Sequence, residues 1–363
     1  MSLAALVAAH GLPAHGSLPE EPLSDDAWAA LLSAVVRERI PGVLASAIAD
    51  GALTVTDEQF AEALGVHQTA MEVALLLDRA LVRASTALAA EGIAHRALKG
   101  ASFAHLDYPD PALRAYGDVD LLVPSAALDE AVGCLTRLEH ERRHPPLRPD
   151  FEARFAKTVE LVGPVEVDLH RTLALEPFGW WIDEADLFAA PTAFTVGGTA
   201  VPAPSTAVRF LHACYHAALG NRPPRLAPLR DLAQMALSAT FDWREAVATA
   251  GRWRGLAVVG HAVRTAREVL RLDVDGGIWR WARHHRPSVP ESRALEVYVS
   301  GSRSQTERLL RSILVLPTWR ARWSYLRAIA LPDRAYLAAR GLERAEWWQR
   351  GRRATRELGR RGR

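Results

Sequence analysis

The feature that most restricts the fold of this chain is a change of hydrophobic period after Gly92. Before it, apolar positions recur at helical spacing. Ser24 precedes Asp25 and Asp26 as a helix start, a helical pattern continues over residues 31–49, Thr56 with Asp57 and Glu58 opens another stretch, and residues 75–90 carry a broad apolar stripe. After Gly92 the period shortens. Residues 93–98 read as a short strand, 99–102 as a tight turn, 103–106 as one or two helical turns, and 119–123 as a buried strand behind Pro109 and Pro111. Ser125 is a cap for a helix over 126–138, and 151–162 and 165–170 read as two strands joined at Gly163 and Pro164. From Ser205 the helical spacing returns, over 206–219, 229–239, from Trp243 onward, around Trp279 and Trp281, and over 306–316 and 319–328. Helix and strand signals interleaved in so short a block predict a small α/β or α+β unit between helical regions.

The expected organisation is a helical region over 1–90, a catalytic core over 91–204, a helical substrate or closure domain over 205–300 and a helical extension over 301–363. Pro13, Gly16, Ser17, Pro19 and Pro22 make the residues through Leu23 read as a loose arm, and the arginines of 350–363 as a frayed basic tail. At 363 residues, 49% of them apolar and 24% charged, the chain can bury a substantial core. A formal net charge of +2 does not by itself call for nucleic acid. The two cysteines, Cys134 and Cys214, lie in apolar periodic segments without a partner at metal or redox spacing, which fits a reducing compartment. Residues 1–11 lack the basic start of a signal peptide, and no apolar run reaches membrane-spanning length. A cytoplasmic protein without membrane insertion is expected.

The segment Tyr116-Gly117-Asp118-Val119-Asp120-Leu121-Leu122-Val123 carries the chemistry. In a strand, residues two apart share a face, so Asp118 and Asp120 project together while Val119 and Leu121 turn to the core. Two ionised carboxylates facing one space repel unless solvent or a cation intervenes, and Mg²⁺ accepts oxygen ligands from such groups and from phosphates. A second alternation, Val165-Glu166-Val167-Asp168-Leu169-His170, puts Glu166, Asp168 and His170 on one face. If the two strands are neighbours, Asp168 completes a three-carboxylate cluster able to hold metal ions for in-line displacement at phosphorus. An ordinary strand end facing water is the competing reading.

These segments, with Leu98-Lys99-Gly100-Ala101-Ser102, Tyr108-Pro109-Asp110, Arg114, the helix from His212 to His216, Arg230-Asp231-Leu232-Ala233 and Asp242-Trp243, closely resemble the uncharacterised bacterial nucleotidyltransferases of the polymerase-beta-like superfamily. The resemblance covers roughly residues 75–270. It implies an α+β fold in which a small mixed-sheet core is flanked by helical regions. It also implies that Asp118, Asp120 and Asp168 bind Mg²⁺, with Mn²⁺ as an alternative. The implied reaction is transfer of a nucleoside monophosphate from a nucleoside triphosphate, ATP first among them, to an acceptor hydroxyl. Relatives associated with peptide natural products point to a peptide or a small metabolite as acceptor. The rival readings are a protein-modifying transferase and a catalytically silent nucleotide- or RNA-binding module. Better-studied members carry Gly-Ser or Gly-Gly ahead of the first aspartate, whereas here Gly100 is followed by Ala101, with Ser102 one place later.

Among the basic groups, Lys99 beside Gly100 can meet phosphate oxygens or be a surface lysine beside a turn. Gly100 and Ser102 belong to the same nucleotide-binding turn. Arg114 can neutralise phosphate with its planar fork or pair with Asp118. His170 can orient Asp168, touch the acceptor, or serve only as a supporting hydrogen-bond group. His212 and His216 share a helix face but lack the rest of a zinc motif, leaving packing or substrate contact. Trp180, Trp181, Trp243, Trp253 and Trp279 are candidates for base stacking or, more commonly, for filling interfaces between helices.

Overall fold

The computed structural model describes residues 2–299, 313, 316, 318–343, 347 and 349. Four helices lead: α1 (Leu3–Ala9), α2 (Asp25–Glu38), α3 (Pro41–Ala49) and α4 (Asp57–Ala90). The long α4 starts where Thr56 predicts it, because the Thr56 hydroxyl accepts from the Gln59 N–H while the Gln59 side chain accepts from the Thr56 N–H. The first residues differ from the expected loose arm. Ser2 caps α1, whose Ala4, Ala5, Val7, Ala8 and Ala9 are buried, and Arg230 donates to the carbonyls of Ala8 and His10. The proline-rich stretch begins only after this helix.

The middle of the chain forms β1 (Arg96–Ala97), α5 (Lys99–Asp107), β2 (Val119–Leu122), α6 (Leu128–Thr136), β3 (Glu141–Arg142), α7 (Phe151–Phe155), β4 (Thr158–Val162) and β5 (Val167–His170). Its sheet has the order β1-β2-β5-β4-β3; β2 and β5 run parallel and the other pairs antiparallel. This is the small mixed sheet of an α+β fold. Three local expectations change. Residues 99–102 belong to the start of α5, although the backbone at Gly100 is non-helical (φ 13°, ψ −98°), so the expected turn survives as a kink inside that helix. Residues 151–155 are helical, because Phe151 and Phe155 stand four apart and meet ring to ring, both against Tyr325. Ser125 makes no helix cap; its N–H and hydroxyl both donate to Glu184.

Next come α8 (Phe178–Trp181), α9 (Glu184–Phe188) and a hairpin of β6 (Thr192–Val196) and β7 (Thr199–Ala203). The hairpin turns at Gly197 and Gly198, whose φ of 53° and 80° suits the tight turn that right-handed strand twist favours. The trailing helices are α10 (Thr206–Leu219), α11 (Leu226–Ala236), α12 (Trp243–Arg252), α13 (Leu256–Val269), α14 (Gly277–His284), α15 (Val289–Val299), α16 (Trp319–Ala330) and α17 (Arg334–Ala339). One apolar cluster gathers α1 to α3 with α10 to α15, and a second joins the last turns of α4 to α6, the sheet and the hairpin. No helix among the described residues is long and apolar enough to cross a membrane. The basic tail of 350–363 and most of 306–316 lie outside the described residues.

Candidate functional site

Strand register brings the acids together. β2 and β5 align Asp120 with Asp168 and Leu122 with His170, while Val119, Leu121, Val167 and Leu169 are buried in the second cluster. Asp120, Asp168 and His170 therefore share the opposite face, and one ligand atom from each lies within 4.8 Å of the others. Asp118, one residue before β2, stands just outside this group, with its carboxylate 3.9 Å from Arg39. The His170 ring faces His212 of α10 edge-on at 6.3 Å, so α10 forms the wall opposite the sheet.

Two cations or donors converge on one oxygen of Asp120. Its Oδ1 accepts from His170 Nε2 at 2.7 Å and pairs with Lys99 Nζ at 2.5 Å. Its Oδ2 is buried without a hydrogen-bond partner, and so is Asp168 Oδ1. Burial works to raise the Asp120 pKa, but the Lys99 ammonium and the His170 hydrogen bond outweigh it and hold the carboxyl well below the ordinary range. Burial pushes the Asp168 carboxyl up to about 7, with the Asp120 charge adding to it. Asp118 is raised by burial and then by Asp120. Burial lowers His170 to about 4 against the pull of Asp120, which makes it a neutral ring donating from Nε2.

The remaining anticipated residues take varied places. Gly100 is required by close approach: a Cβ there would lie 3.1 Å from the Tyr116 side chain, which is itself fixed by donating to Asp78 at 2.6 Å. Leu98 offers no side-chain cap to α5, whose first residues are kinked at Gly100. Ser102 is fully buried and donates to the Lys99 carbonyl at 3.0 Å, so it braces the turn. Arg114 does not pair with Asp118, and its fork is taken up elsewhere. It reaches both oxygens of Asp231 at 2.7 and 2.8 Å and also donates to the Ala115 carbonyl, while Tyr108 donates to Asp231 at 2.8 Å. Asp231 is on α11, so this buried pair ties the segment before β2 to the trailing helices. Burial pushes His212 and His216 well below the ordinary histidine range, with Lys99 acting in the same direction.

Sequence reading missed two cations. Arg39, which ends α2 with a left-handed φ of 59°, lies against Gly117 and Asp118. Lys157, just ahead of β4, feels Lys99, Asp120, Asp168 and Asp118. One signal for it was present: Lys99 and Lys157 are the only lysines among 44 basic residues.

A sequence model of the family described as "Uncharacterised nucleotidyltransferase" matches residues 24–271. The chain is also similar in structure to an antigenic nucleotidyltransferase-like protein from Paracoccidioides brasiliensis, with 16% identity and a TM-score of 0.35 over 55% of this chain and 94% of that one. No curated protein matches the chain. With the family match running from α2 through α13 and taking in every acid of the site, this chain belongs to the uncharacterised nucleotidyltransferases of the polymerase-beta-like superfamily.

Proposed function

We propose that this chain transfers a nucleoside monophosphate from a nucleoside triphosphate, ATP first among them, to an acceptor hydroxyl and releases pyrophosphate. One observation carries the reading. Neighbouring parallel strands set Asp120 beside Asp168 and leave a buried oxygen of each, Oδ2 and Oδ1, without a hydrogen-bond partner. Buried acceptors left so are costly, and a hard divalent cation satisfies them. Asp120, Asp168 and His170 each bring a ligand atom within 4.8 Å of the others, with Asp118 at the edge of that group; such an oxygen-rich set suits Mg²⁺, with Mn²⁺ as an alternative, held by Asp118, Asp120 and Asp168. Such an ion, when bound, draws phosphate and hydroxyl oxygens together and makes the hydroxyl more acidic.

The protein groups supply the rest. The kinked start of α5, with Lys99 and Gly100, would meet the phosphates of the nucleotide. Lys99 keeps Asp120 ionised, and His170 fixes the orientation of that carboxylate through Nε2. Asp168, as a ligand of the ion that would hold the attacking hydroxyl, would help that hydroxyl lose its proton. Opposite them, His212, kept uncharged by burial, faces the His170 ring and would border the acceptor, a small molecule or peptide. Catalysis by such a site is mainly positioning and charge neutralisation.

Incubation with Mg²⁺, cell extract and nucleotides labelled at the α or the γ phosphate tests the reading. Label should move from the α position only, and Asp118→Asn and Asp120→Asn should abolish it. Equal labelling by wild type and both variants, or transfer of the γ label, would contradict the proposal. Label on a polypeptide marks a protein or peptide acceptor, and label on a small product marks a metabolite.

A further inference from the structure

We infer that Lys157 binds the phosphate chain of the nucleotide, and pyrophosphate as it leaves, as the free ammonium of the site. This rests on the nucleotidyl-transfer reading above and names a residue it lacks. The other cations anticipated for phosphate are already engaged. Arg114 spends its fork on Asp231, and Lys99 is 2.5 Å from Asp120. Lys157 differs: among the described residues its ammonium has neither an ion pair nor a hydrogen bond.

Its position is fixed by backbone. The Lys157 carbonyl accepts from the Arg171 N–H at 3.0 Å, which pins the residue beside the end of β5, next to the strand that carries Asp168 and His170. The side chain is half-buried. After burial itself, the strongest influence on its charge is repulsion from Lys99, followed by attraction from Asp120, Asp168 and Asp118. His212 and His216 on the facing α10 feel both lysines. Both lysines thus act on the same carboxylates and on the same helix, α10.

An ammonium left half-buried under the influence of another ammonium, without a direct ion pair, is an unfavourable arrangement in an empty fold. It becomes favourable when an anion arrives. Three N–H donors on a compact charge suit phosphate oxygens that approach from a range of directions. Composition points the same way. Arginine supplies 42 of the 44 basic residues, yet both lysines stand at this site. A wide planar guanidinium fits less well than an ammonium between packed walls, so a site needing a compact charge favours lysine.

Calorimetric titration of the full chain with inorganic pyrophosphate and with ATP, in Mg²⁺ buffer, tests the inference on wild type, Lys157→Met and Lys157→Arg. The methionine variant should bind pyrophosphate about ten- to a hundredfold more weakly, as expected for loss of a charge-assisted contact, while its Tm stays level or rises. The arginine variant should recover part of the affinity. Unchanged affinity in Lys157→Met overturns this inference and leaves the proposed transfer standing. So does affinity lost together with stability and not recovered in Lys157→Arg, since that pattern marks a structural anchor. A wild type that binds neither pyrophosphate nor ATP overturns both.

Discussion

Asp231 and Asp120 are buried almost equally, at 0% and 4% exposure, and each meets a basic side chain, yet their surroundings differ in what is left over. Around Asp231 the donors are complete: Arg114 reaches both oxygens and Tyr108 adds a third bond. Around Asp120 both donors crowd onto Oδ1, leaving Oδ2 bare beside an equally bare oxygen of Asp168. A satisfied buried ion pair gives register between elements. An unsatisfied carboxylate cluster is a place prepared for something else, at a cost the fold carries.

The comparison breaks if the two acids respond alike to loss of charge. The largest effect belongs to Asp120→Asn, which should reduce nucleotidyl transfer by about a thousandfold or more, since cation stabilisation of the transition state is worth several kcal/mol. The same change strands the Lys99 ammonium but relieves repulsion from Asp118 and Asp168, so the melting temperature should fall less than in the Asp231 variant. Asp231→Asn should do the reverse. It strands the Arg114 guanidinium in the interior and should cost about 3–5 kcal/mol of stability, read by denaturant unfolding.

A smaller effect sharpens the contrast from the basic side. Burial, with Lys99 adding to it, holds the Lys157 ammonium down to about 8. Below pH 8 the folded chain carries that charge and its full penalty. Between pH 8 and about 10.4 the unfolded chain still binds a proton that the fold has shed, so stability recovers as pH rises. Lys157→Met removes the penalty altogether. Its advantage over wild type in Tm should be widest below pH 8, worth no more than about 3 kcal/mol, and should close toward pH 10. The facing titratable groups, Lys99, Asp118, Asp120, Asp168, His212 and His216, are common to both proteins, so the difference isolates Lys157.

Much of the carboxylate face was legible because strand alternation is strict: Asp120, Asp168 and His170 share a face as a period of two requires, whereas Asp118 falls one residue before β2, and α10 starts where its pattern and Ser205 place it. The sheet order was not, since nothing local says that β5 inserts between β2 and β4. Side-chain partners were harder still. Arg114 sits four residues before Asp118, but its partner Asp231 lies 117 residues away. Arg39 arrives from a helix end far from the motif, and only its left-handed backbone turns it toward Gly117. Residues 151–155 were read as strand because apolar spacing over so few positions suits either period; packing against Tyr325 decided for helix.

The most direct measurement is Mn²⁺ binding followed by the loss of the free-ion electron paramagnetic resonance signal. Wild type should take up the ion saturably, Asp120→Asn and Asp168→Asn should lose most of that uptake, and Lys157→Met should retain it. Uptake by Asp120→Asn and Asp168→Asn equal to that of wild type would show that the bare oxygens on β2 and β5 do not hold a cation, and the proposed chemistry would have no centre.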